Sequence, residues 1–139
     1  MIESYKGLMT TARATLQISG WDEQEYDDRG GAGKLSEAKV QQSVSGDIEG
    51  SSDVRWLMAY TADDRAEFVG IQVVTGTLGG KEGTFVLRSV GTYDGSKADG
   101  DLTVIDGSGT GDLAGIRGTG TFTAPMGDTA SLTLDYELS

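Results

Sequence analysis

Trp56, Met58 and Tyr60 stand at alternate positions of one short run, Phe68 and Gln72 recur at even spacing in the next, and Phe85 and Leu87 in the one after. In an extended chain residues two apart share a face, so these side chains meet on one surface, and Gln42 lies on the same kind of face. Aromatic rings with a few convergent amides are the chemistry of a small-molecule pocket: the rings stack on an apolar body and the polar groups orient it. The expected ligand-binding set is therefore Trp56, Met58, Tyr60, Phe68, Gln72 and Phe85. The opposite reading is a barrel plugged by the same side chains, since a small barrel is just wide enough to be filled that way.

Acid–base chemistry has a narrow repertoire here. The chain has no His and no Cys, which removes Ser-His-Asp and Cys-His nucleophiles, disulfides, and the usual ligands of zinc, copper and haem. Any proton transfer falls to Asp, Glu, Tyr, Lys or Arg. Glu49, Tyr60, Tyr93 and Tyr136 are the groups whose position decides whether such chemistry exists; no catalytic residue is assigned. Arg55, Glu67 and Arg88 fall on the parity opposite the aromatics and are expected on the outer surface, a reading that one step of register would reverse.

Two further motifs carry less. Gly109–Ala114 loosely matches a dinucleotide fingerprint, but that chemistry needs a following helix inside a βαβ unit, and a strand follows instead. Asp22, Glu23, Glu25, Asp27 and Asp28 offer oxygen ligands for a hard cation without EF-hand spacing, and read as a solvated acidic loop. No metal and no cofactor is expected.

Period-two alternation with β-branched residues dominates, and no segment sustains a helical period. The strands read as Thr11–Trp21, Lys34–Glu49, Val54–Thr61, Ala66–Thr75, Thr84–Tyr93, Ala98–Ile105, Ile116–Thr123 and Ala130–Leu138. Between them lie an acidic loop at Asp22–Gly33 and turns at Gly50–Asp53, Ala62–Arg65 and Asp94–Lys97. Gly79, Gly80 and Gly83 form a break, and a glycine-built corner starts at Gly107. Eight such strands predict an all-β domain over residues 1–139, an antiparallel barrel before a sandwich.

The chain has 139 residues, one domain's worth, and a net charge of −11 with a pI near 4.2. That charge opposes nucleic-acid and anionic-membrane partners. With no apolar leader and no span, the protein reads as cytoplasmic. The runs from Val54 to Val90 are apolar on both faces: Leu57 and Ala59, then Val69, Ile71 and Val73, then Val86 and Val90 lie opposite the aromatics. This predicts a homo-oligomer, a dimer first, with cover from the N-terminal arm and the acidic loop as the alternative.

The ordered pieces Gly20-Trp-Asp-Glu23, Ser45-Gly-Asp-Ile-Glu-Gly50, Leu57-Met-Ala-Tyr60, Phe68-Val-Gly70, Gly83-Thr-Phe-Val-Leu87, Gly107-Ser-Gly-Thr-Gly-Asp-Leu-Ala-Gly115 and Leu134-Asp-Tyr136 resemble the bacterial domain-of-unknown-function family 3224 from Met9 onward. The resemblance implies an eight-stranded barrel with an internal cavity, similar to allene oxide cyclases and dirigent proteins, and no agreed activity. Met1–Leu8 then reads as an extension. Against the family pattern Gln72-Val73 replaces an acidic–basic pair, Ser89-Val90 a polar step, and Leu102 an aromatic.

Three functional readings follow. One is a binder holding a small apolar molecule in the barrel. The second, implied by the resemblance, is a cofactor-free cyclase or isomerase that works by enclosing a flexible substrate. The third is a plugged barrel serving as an interaction scaffold.

Overall fold

A computed structural model describes residues 9–125, 127 and 129–138 of the chain. The expected extension at Met1–Leu8 lies outside them. Eight antiparallel strands close into a barrel in chain order: β1 (Thr10–Asp28), β2 (Lys34–Gly46), β3 (Ile48–Tyr60), β4 (Ala66–Leu78), β5 (Lys81–Tyr93), β6 (Lys97–Val104), β7 (Arg117–Pro125) and β8 (Ala130–Glu137). Apart from two three-residue 3-10 turns, Gly30–Ala32 and Gly111–Leu113, no helix is present among the described residues. None is therefore long and apolar enough to cross a membrane.

Alternation does what it predicts on β3 to β5. Val54, Met58, Phe68, Gln72, Val74, Phe85 and Leu87 are buried inside, while Arg55, Leu57, Glu67, Val69, Ile71, Val73, Arg88 and Val90 are exposed outside. The interior has two unlike halves. Toward the end where β2 turns into β3, Ile48, Leu78, Phe85, Leu87, Leu102 and Leu134 are packed nearly solvent-free. The glycine corner plugs that end. Its Leu113 and Ile116 are each 1% exposed, and its Thr110 bonds back to Thr84 on β5. Gly83 lies where a Cβ would meet the Thr110 carbonyl at 2.0 Å, so only glycine lets the corner lie against the strand. The other half, toward Tyr60, Tyr93 and Pro125, is open.

The structure corrects the sequence reading in three places. Asp22–Asp28 is not a loop: β1 continues through it, paired with β2 from Trp21↔Val40 to Asp28↔Lys34, and only residues 29–33 turn. Bulges leave Ser19 and Tyr26 unpaired, which breaks the alternation that marks a strand. Gly50–Asp53 is not a turn either. The chain reverses at Asp47, whose carboxylate accepts from the Arg13 N–H, while Glu49 caps the Gly46 N–H. Residues 50–53 lie inside β3, where Gly50 faces Gly76 on β4 so closely that a Cβ would meet the Thr75 carbonyl at 2.0 Å. Finally, β4 runs to Leu78 and β5 restarts at Lys81, with Gly83 inside the strand and only Gly79-Gly80 turning.

β1 pairs with β8 only from Thr10 to Leu16, whereas its pairing with β2 continues to Asp28. From Gln17 onward one edge of β1 has no neighbouring strand among the described residues. The barrel is therefore sealed at its packed end and opens along this seam at the other.

Candidate functional site

The open half holds a cavity of about 940 Å³. Of the residues expected to line it, Trp56, Met58, Tyr60, Phe68 and Gln72 do, with Gln42 beside them. Phe85 does not: it is 1% exposed and belongs to the packed half, as does Leu87. Parity assigns a side chain to a face and says nothing of its depth along the barrel. Tyr93 lines the cavity, but Glu49 is exposed at the start of β3 and Tyr136 is buried at the far end, with its hydroxyl close to Gly79.

Glycines make room for the rings. Trp56 pairs across the ladders with Ala38 on one side and Gly70 on the other. A Cβ on Gly70 would meet the indole Cδ1 at 2.1 Å, so the ring lies flat over that glycine. Phe68 covers Gly91 and Phe122 covers Gly100 in the same way. The three rings meet inside the barrel, Trp56 and Phe68 with centroids 5.5 Å apart and Trp56 and Phe122 stacked at 6.3 Å. Trp21 adds a fourth at 6.1 Å from Trp56.

Two polar clusters mark the walls. Deep inside, Gln72 Nε2 donates to Ser52 Oγ at 2.6 Å and to Gln42 Oε1 at 3.2 Å, and Ser52 Oγ donates to Gln42 Oε1 at 3.1 Å. At the mouth, the Glu23 carboxylate accepts three bonds: from Ser36 Oγ at 2.6 Å, Tyr60 OH at 2.9 Å and Trp21 Nε1 at 3.2 Å. Burial pushes the Tyr60 phenol well above the usual tyrosine range, and its bond to the Glu23 carboxylate raises it further. The hydroxyl thus stays protonated and donating. Among the described residues two buried side-chain atoms have no hydrogen-bond partner, Trp56 Nε1 and Ser89 Oγ, and they flank the same residue, since Gly70 pairs with both Trp56 and Ser89.

Sequence reasoning missed Glu23, Trp21, Ser36 and Phe122. The bulge at Ser19 puts Trp21, Glu23 and Glu25 opposite the inner residues Val40, Ala38 and Ser36, so odd positions turn inward where even ones did before. The signal available was Gly20, a residue that suits a bulged strand. Gln72, Ser89 and Leu102, where the chain departs from the family pattern, all face inward and are buried. Asp22 and Asp28 do not join Glu23, and among the described residues no group of three or more metal-ligating side chains converges.

Among curated proteins none matches this chain. A crystal structure of a protein with unknown function from the DUF3224 family of Shewanella oneidensis MR-1 superposes with a TM-score of 0.75 at 24% identity, covering 94% of this chain and 98% of that one, which shows a shared fold. The family model described as Protein of unknown function (DUF3224) matches residues 12–136, and the chain therefore belongs to that family.

Proposed function

We propose that this protein binds a small, largely apolar molecule in the open half of its barrel. The observation that carries the reading is the cavity itself, about 940 Å³ walled by Trp56, Phe68 and Phe122, in a barrel whose other half is packed. A volume of that order is typical of small-ligand pockets, as is a mainly apolar wall with a few fixed polar groups. The Trp56 ring supports it, since it stands in the cavity wall against Phe68 and Phe122. In the test, ligands are screened by quenching of the two tryptophans while Trp56→Ala is melted in parallel. Saturable quenching that is lost in a variant still folded supports the reading. No quenching by any ligand, with a collapsed melting temperature, decides for a plugged barrel.

A second reading, a cofactor-free isomerase or cyclase, is favoured by the Tyr60–Glu23 pair. It couples a protonated phenol to a carboxylate at the cavity mouth, the combination needed to donate and accept a proton on an enclosed substrate. Turnover of a bound ligand, abolished in Tyr60→Phe without loss of binding, separates it from the first.

We also infer that the outer face of β3 to β5 docks a second copy. Leu57, Val69, Ile71 and Val90 are each about half exposed on adjoining strands. Lys39, Arg55 and Arg88 share one row with Ile71. Asp53, Glu37 and Asp101 lie in the rows beside it. The patch is thus locally balanced in a chain of net charge −11, the kind of surface by which two such acidic copies can approach.

A further inference from the structure

We propose that the preferred ligand is an organic cation, a quaternary or protonated amine carried on a flat apolar body; this rests on the binding reading above. The Glu23 carboxylate at the mouth is held by three neutral donors, Trp21, Ser36 and Tyr60, and among the described residues by no cation. The ion pairs among the described residues all lie elsewhere: Arg29–Asp27, Arg65–Asp63, Lys97–Asp99 and Arg117–Asp106. A half-buried carboxylate without a counter-ion, at the entrance to a cavity, is a fixed negative charge whose missing partner can arrive with the ligand.

The walls point the same way. The cavity lining carries three carboxylates, Glu23, Glu25 and Asp64, against one amine, Lys34. Beyond the mouth stand Trp21, Trp56 and Phe68, ring after ring, whose negative faces attract a cation. The protein's own amine already uses this attraction, with Lys34 Nζ 5.0 Å from the centre of the Tyr60 ring. A net charge of −11 draws cations toward the opening and keeps anionic amphiphiles such as fatty acids away. A neutral ligand gains from the rings alone; a cation gains from the rings, from Glu23 and from the long-range field.

The test compares three probes of similar shape by nuclear magnetic resonance titration: benzyltrimethylammonium, its uncharged isostere neopentylbenzene, and phenylpropanoate. The cation is expected to bind about tenfold or more tightly than the neutral isostere, and the anion not at all. In Glu23→Gln the ratio of cation to neutral affinity should fall toward one. Should that variant fail to fold, Lys34→Gln at the exposed rim serves instead, and there the ratio should rise. A neutral probe that binds as tightly as the cation overturns the cation preference and leaves the binding cavity standing, as does a ratio unmoved in the folded variant. Failure of all three probes to bind overturns both.

Discussion

Trp56 and Phe85 lie on the same inner surface of the barrel but in different halves of it, and the difference decides what removing each ring should do. Phe85 is enclosed on every side at 1% exposure, so Phe85→Ala should cost about 3–5 kcal/mol, the usual figure for a buried aromatic. Trp56 has the cavity on one side, and Trp56→Ala should cost clearly less by urea denaturation while removing ligand binding. Equal losses would mean that Trp56 is a core residue. Tyr60 adds a pH signature. Its phenol titrates above the ordinary range in the folded protein, so its contribution is complete below the unfolded value of about 10 and is lost as the pH rises beyond it. The parent should therefore lose melting temperature above pH 10 more steeply than Tyr60→Phe; parallel curves would contradict the Tyr60–Glu23 bond. This pair was only half legible in the sequence. Tyr60 follows from unbroken alternation along Val54–Thr61, but Glu23 sits behind a bulge that reverses parity, in a stretch so acidic that its composition reads as loop.

At the scale of elements, the site depends on glycines as much as on aromatics. The row running from Ala38 through Trp56 and Gly70 to Ser89 sets one large side chain among three small ones across three ladders, and the indole occupies the space that a side chain on Gly70 would take. Gly70→Ala should therefore expel the Trp56 ring, shift its emission and cost about 1–3 kcal/mol as an overpacked site. A variant with unchanged emission and stability would show that the ring does not rest there. Such pairings are not readable in one dimension, because they link residues that only the register brings together. The same holds for Gly50 and Gly76: on its own, Gly50-Ser-Ser-Asp53 has the composition of a turn, and only the close approach of β3 to β4 explains a glycine in mid-strand. Most of the strands were legible because half-buried antiparallel sheet imposes a period of two wherever no bulge interrupts it.

The whole molecule is a barrel sealed at one end by the corner around Leu113 and opened at the other by the seam between β1 and β8. Among the described residues, the outer face of β3 to β5 is an apolar surface that closure leaves unexplained. The alternative cover for it is reduced, because the acidic segment is committed to β2 as strand. Sedimentation equilibrium at micromolar concentration should give twice the 14.5 kDa chain mass, and Ile71→Asp should return it to a monomer that still folds. A parent that is monomeric throughout would refute the interface. Two-sided apolarity announced this face in the sequence, whereas the division of the interior into a packed half and an open half did not, since it depends on where the corner folds back.

The central claim, that the open half receives a ligand beside Trp56, is tested most directly by the indole N–H signals in a proton–nitrogen correlation spectrum. The chain has two tryptophans, and Trp21→Phe identifies the signal of Trp56. The Trp56 indole stands in the cavity wall, so its N–H signal reports a ring or a charge placed against the ring. On titration with benzyltrimethylammonium a saturable shift of the Trp56 signal is expected, with Gln72 side-chain signals moving alongside and those around Phe85 unmoved. A Trp56 signal that stays in place up to the solubility limit of that probe and its uncharged isostere would contradict it.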